Sequence, residues 1–210
     1  MKYFPILLSI IFLILACSKN VVITSDTEIG DPIQHANKLH NSNLIVRVPT
    51  QSKKIKYYES LLSNKSLSEK VKINYAKLNE GFRVQDSIYF ENLAIGFNIY
   101  YTFSSIYYVQ DTDFKLFIEG SREVFVRPHF DENQILECEC NEYYIMTVER
   151  ETNQFILTNS NLQKLQAPFP HKKSTFLSSF KKIIDLNTYI HNQIKWFNEN
   201  LFKLSKLKQN

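Results

Sequence analysis

The densest reactive chemistry in the chain is the run Glu137-Cys138-Glu139-Cys140-Asn141-Glu142. Two cysteines at i and i+2 share one face of a strand. Their Cα atoms would then lie near the upper limit for a disulfide, and a strained bridge is labile and redox-active. Adding His129 and a carboxylate such as Asp131 or Glu132 makes a soft metal site of two thiolates and one imidazole. No fourth ligand stands at an established spacing. The plainest reading is two small, half-buried residues in a hairpin. The flanking glutamates push a thiol pKa up, which works against a thiolate nucleophile. Cys138 and Cys140 are therefore retained as the candidate disulfide or redox pair, and no metal site or catalytic residue is assigned.

Other chemistries lack their parts. The chain has no Gly-x-Ser-x-Gly, no His-Glu-x-x-His, no phosphate-binding glycine loop and no dinucleotide fingerprint. Four glycines leave little material for a backbone phosphate cradle. His129 and His171 are scattered, and His191 reads as the rim of a helix. Ser104-Ser105 has no histidine nearby in sequence. The reading is non-enzymatic and implies no cofactor. Paired tyrosines recur at Tyr57-Tyr58, Tyr100-Tyr101, Tyr107-Tyr108 and Tyr143-Tyr144. On a strand, such a pair sends one ring to each face. The pairs either pack in a sheet covered on both faces or expose an aromatic platform for glycan or protein contact.

The N-terminus points to a compartment. Lys2 precedes the apolar run Ile6 to Leu15, which is followed by Ala16-Cys17-Ser18. That run is shorter than the about 20 residues a bilayer span needs and fits the h-region of a signal peptide. Ile14-Leu15-Ala16-Cys17 resembles the lipobox of bacterial lipoproteins. The resemblance implies cleavage before Cys17 and acylation of that cysteine, by palmitate-type chains among others. Each buried methylene then contributes about 0.8 kcal/mol of membrane anchoring. Ser18 in place of Asp implies the outer membrane, with the domain facing the periplasm.

These sites need a scaffold. Residues 1–16 read as the signal peptide, 17–43 as a lipidated flexible tether containing His35 and His40 as solvated residues, and 44–210 as one globular domain. Leu44 to Val48 reads as a buried strand. Ile55, Tyr58, Leu61 and Leu62, then Leu67, Val71, Tyr75, Leu78 and Phe82, predict one helix or two in tandem over 52–82. Asn64 interrupts the pattern, Ser66-x-x-Glu69 has the form of a capping box, and Gly81 lies near the predicted end. Lysines 53, 54, 56, 65, 70, 72 and 77 populate the remaining faces, which read as solvated although anionic lipid would attract them. Strands are predicted at 98–103, 106–109, 115–118 and 123–127, and a hairpin at 143–149 and 154–157. Ile190, Ile194, Phe197, Leu201 and Leu204 mark a final helix. The order predicts an α/β or α+β fold: a mixed sheet with a long N-terminal helix and a C-terminal helix packed on it.

The segment Leu44 to Thr50, the long helix, the tyrosine-rich strands and Pro168-Phe169-Pro170 before the last helix are similar to a group of α/β envelope proteins from Bacteroidetes-type bacteria. The motifs of that group carry no known chemistry. The resemblance implies the element order and no site residue.

Composition sets the outer bounds. With 44% hydrophobic and 14% aromatic residues, the 210-residue chain is too apolar for disorder, and three cysteines cannot make a disulfide scaffold. Loss of residues 1–16 leaves 24 Lys and Arg against 21 Asp and Glu, too little excess for nucleic-acid binding. The expectation is an envelope lipoprotein that displays a non-catalytic binding domain to an envelope protein or glycan. An immunity or inhibitor lipoprotein against a toxin is the second reading. A thiol-redox or hydrolytic enzyme using Cys138 and Cys140 is the third.

Overall fold

A computed structural model describes residues 31–128, 142–151, 154–170 and 186–207. Its centre is a five-stranded mixed sheet in the order β3-β2-β1-β4-β5. Strand β1 (Asn43–Val48) pairs in parallel with β2 (Ser105–Gln110) and with β4 (Tyr143–Glu149). Strand β3 (Phe125–Val126) runs antiparallel to β2, and β5 (Gln154–Asn159) antiparallel to β4. A strand flanked by parallel neighbours is covered on both faces, which is why Leu44 to Val48 reads as an almost unbroken apolar run. The expected mixed α/β sheet is what the chain forms.

Alternate residues of β1 serve two cores. Leu44, Val46 and Val48 join Tyr108, Tyr144, Met146, Phe155 and Leu157 in the larger one. Three helices cover that face: α1 (Pro32–His40), the long α3 (Glu69–Tyr100) and α5 (Leu186–Ser205). All five residues of the predicted C-terminal stripe are buried there. On the opposite face Ile45, Val109 and Ile145 are closed over by Phe117 and Phe125. Phe117 lies on α4 (Phe114–Ile118), a single turn capped by a left-handed glycine. Gly120 has φ +104°, and the Gly120 and Ser121 amides donate to the carbonyls of Phe117 and Leu116, each at 3.0 Å. This is the reciprocal C-terminal bond pair that glycine permits.

Several expectations are corrected. The stretch 32–40 is not a tether. Asp31 Oδ1 accepts from the Ile33 amide at 3.0 Å, Pro32 opens the helix, and Ala36 and Leu39 are fully buried against the core. The folded unit therefore reaches back to Asp31. Of the two readings of 52–82, the tandem pair is the one that forms, as α2 (Ser52–Leu62) and α3, but α3 runs on past the predicted end to Tyr100. Residues 98–100 are thus helical, not a strand, because Leu93, Ala94 and Phe97 extend a buried helical stripe. Gly81 is mid-helix and terminates nothing. The capping box does not form: Ser68 is the N-cap, and the Ser66 amide and hydroxyl both donate to Asn64 Oδ1. Residues 114–118 form a helical turn instead of a strand, and only Phe125–Val126 of the 123–127 run pairs as strand.

Candidate functional site

Two parallel strands end side by side at Val48 and Gln110, and the chain turns away from the sheet at both. At such a point carbonyl ends and loop side chains face a crevice. Here a cleft of about 530 Å³ opens between the strand ends, the start of α2 and the middle of α3. Its size falls in the range of small-molecule sites.

Asp86 of α3 organises one wall. Its Oδ2 accepts from the Gln51 amide at 2.7 Å, so a carboxylate from a neighbouring helix caps the N-terminus of α2. Its Oδ1 pairs with Arg150, at the end of β4. Arg150 also donates to the Gln85 carbonyl at 3.1 Å and lies 4.7 Å over the Tyr89 ring. That burial pushes the Tyr89 phenol up to about 12, against the opposing pull of Arg150. At the strand ends the Thr50 hydroxyl donates to Asp111 at 2.5 Å, and the Asp111 amide donates to the Val48 carbonyl at 2.9 Å. Across the opening, Glu59 and Arg83 form an ion pair between α2 and α3. Lys56, Arg83 and Arg127 face Glu59, Asp86 and Glu91 around the cleft, so the signs balance. Thr50, Ser87, Gln110 and Thr112 add hydroxyl and amide groups, with Phe90 as an aromatic floor. Neither histidine nor cysteine lines the cleft among the described residues.

The site residues singled out by sequence are not among those the structure describes. Cys17, Cys138, Cys140, His129, Asp131, Glu132 and His171 lie outside the described residues. Among the described residues no three His, Cys, Asp or Glu side chains converge as metal ligands would. No described helix is long and apolar enough to cross a membrane.

The tyrosine pairs split by face as strand geometry requires. Tyr108 and Tyr144 enter the larger core, while Tyr107 packs on Phe125 and Tyr143 on Phe117. Tyr101 is buried, and its pKa is raised by that burial. Only Tyr57, on a helix, is exposed, so the pairs form packed faces and no aromatic platform. His35, expected as solvated, is half-buried, while His40 is exposed and also held by a contact to the fold. His35 Nδ1 shares a 2.8 Å hydrogen bond with the Tyr144 hydroxyl, and His40 Nδ1 contacts the Phe103 carbonyl at 2.6 Å. His191 sits at the α3–α5 contact, 3.1 Å from the Asn92 carbonyl, as a rim residue should.

Sequence reading missed Asp86, Asp111 and Arg150 because each is an isolated charge without a motif. The usable signal was positional: Pro49-Thr50 follows the central strand, and the carboxyl ends of parallel strands are where ligands bind. The chain matches no family model, no curated protein and no solved structure.

Proposed function

We propose that this chain is an envelope lipoprotein, anchored through Cys17, whose domain binds a small hydroxyl-rich ligand such as a short glycan in the cleft at the ends of β1 and β2. The reading is supported above all by the cleft itself, which sits where an open α/β sheet presents its binding groups. Its balanced charges disfavour a highly charged ligand. Its hydroxyls, amides and Phe90 suit a molecule with a polar edge and an apolar face. A binding role is favoured over hydrolysis because Asp86 is committed to Arg150 and to the Gln51 amide, and Glu59 to Arg83. Among the described residues no histidine stands beside the cleft hydroxyls to act as general base.

The test is retention of oligosaccharides, prepared from envelope glycans, on the immobilised chain from Ser18 onward. Ser87 and Thr112 are exposed, so Ser87→Trp and Thr112→Trp fill the opening without disturbing the core. We expect saturable retention by the parent chain and at least a tenfold loss in both variants. Retention unchanged by the tryptophans, or none at all, overturns the cleft as the binding site.

A further inference from the structure

The chain's positive charge is gathered on one projecting element. Residues 52–83, comprising α2 and the first half of α3, carry eight Lys and Arg against three Glu. The remainder of the chain carries 17 against 18. No residue of α2 is buried, and in α3 only Asn79 is buried before Tyr89. The two helices therefore form an arm held together by its own contacts. Tyr58 packs on Tyr75 and Phe82, and Glu59 on Arg83.

The face of α3 turned away from α2 carries an unexpected pattern. At 3.6 residues per turn, Lys70, Ile73, Lys77, Val84 and Ile88 fall within an arc of about 60° and span about 27 Å. Ile73 is 67% exposed, Val84 47% and Ile88 55%. Lys70 and Lys77 pair with no carboxylate among the described residues. Beside this face a mostly apolar groove of about 510 Å³ runs past Lys77, Leu78, Gly81 and Phe82. Apolar side chains flanked by unpaired lysines form the pattern of a helix that lies in a bilayer interface. The lysines favour anionic headgroups, and the isoleucines and valine favour the acyl boundary. A second copy would bring two basic arms together, which repel.

We propose that this face of the α2–α3 arm docks on an anionic phospholipid bilayer. The proposal stands on charge and exposure alone and does not require acylation of Cys17 or a ligand in the cleft. It is tested with the chain from Ser18 onward, which keeps every described residue and carries no acyl chain. Co-sedimentation is measured with phosphatidylcholine vesicles containing about one third phosphatidylglycerol and with pure phosphatidylcholine vesicles. Binding to the anionic vesicles alone, weakening as salt rises, is expected. The pair Lys70→Glu and Lys77→Glu should weaken it by at least about 25-fold, at roughly fivefold per lysine. Ile73→Ser with Ile88→Ser should also weaken it, with the circular dichroism spectrum unchanged because both positions are exposed. Equal binding to both vesicle types, absence of binding, or indifference to the lysine reversal overturns the proposal. A dimer that Ile73→Ser dissociates, without vesicle binding, assigns the face to a second copy and also overturns it.

Discussion

Asp86 is one side chain with three structural duties. It caps α2, holds Arg150 and, through that arginine, ties the end of β4 to α3. His35 shows how a residue in a polar stretch can still belong to a core. Burial first, and then the charge of Lys38, hold its pKa below the ordinary 6.5, with Asp31 acting the other way. The unfolded chain therefore takes up this proton at a higher pH than the folded one. The stability it contributes is complete above 6.5 and is lost as the pH falls through the lower folded value. We expect the denaturation midpoint to fall between about pH 7.5 and 5 and His35→Gln to flatten that dependence. Chemical unfolding across this range checks it, and identical slopes would remove His35 as a source.

At the scale of elements, two glycines of α3 make opposite predictions. A Cβ added at Gly81 would meet nothing within 4 Å. Gly81→Ala should therefore raise stability by about 0.5–1 kcal/mol, the helix-propensity difference. A Cβ added at Gly96 would lie 2.7 Å from both His191 Cδ2 and Ile194 Cδ1 of α5. Gly96→Ala should cost about 1–3 kcal/mol by overpacking that crossing. Thermal melts of the two variants check both signs. The same helix shows what sequence could and could not say. The Ile55 and Tyr75 stripes were legible because they repeat at 3.6 residues, and β1, the β4–β5 hairpin and α5 were legible from their apolar patterns. The run Asn98 to Phe103 was not, because its β-branched and aromatic residues carry strand propensity while burial of Phe97 beside Leu93 keeps the backbone helical through Tyr100. Likewise, Ala36 and Leu39 are too few to reveal α1 until β1 and α5 exist to receive them. The cleft was least legible, since its charges come from α2, α3, β4 and the strand ends, and meet only after folding.

At the scale of the whole molecule, α1 changes how the domain stands on its proposed anchor. A tether reaching residue 43 would extend roughly 28 Å as a random coil, whereas the folded unit reaches back to Asp31 and takes those last residues out of any tether. On the proposed anchor, a shorter tether would hold the domain nearer the headgroups, where the proposed docking of the arm would operate. Cys17→Ser should abolish incorporation of labelled palmitate and leave the precursor uncleaved. Labelling of cells expressing the variant checks this, and label in Cys17→Ser would remove the anchor from the proposal. The sheet order carries a further consequence, in time rather than space. Strand β1 pairs with β4 across 100 residues, Arg47 opposite Thr147, yet it is the first of the described strands to be made. Until β4 emerges, this apolar strand has one open edge, and an unpaired apolar edge recruits other chains. Non-local pairing is also the slow step of such topologies. A chain built this way cannot complete its central sheet until its synthesis is well past its midpoint. Leu44 to Val48 is thus made long before the strand that covers its second edge.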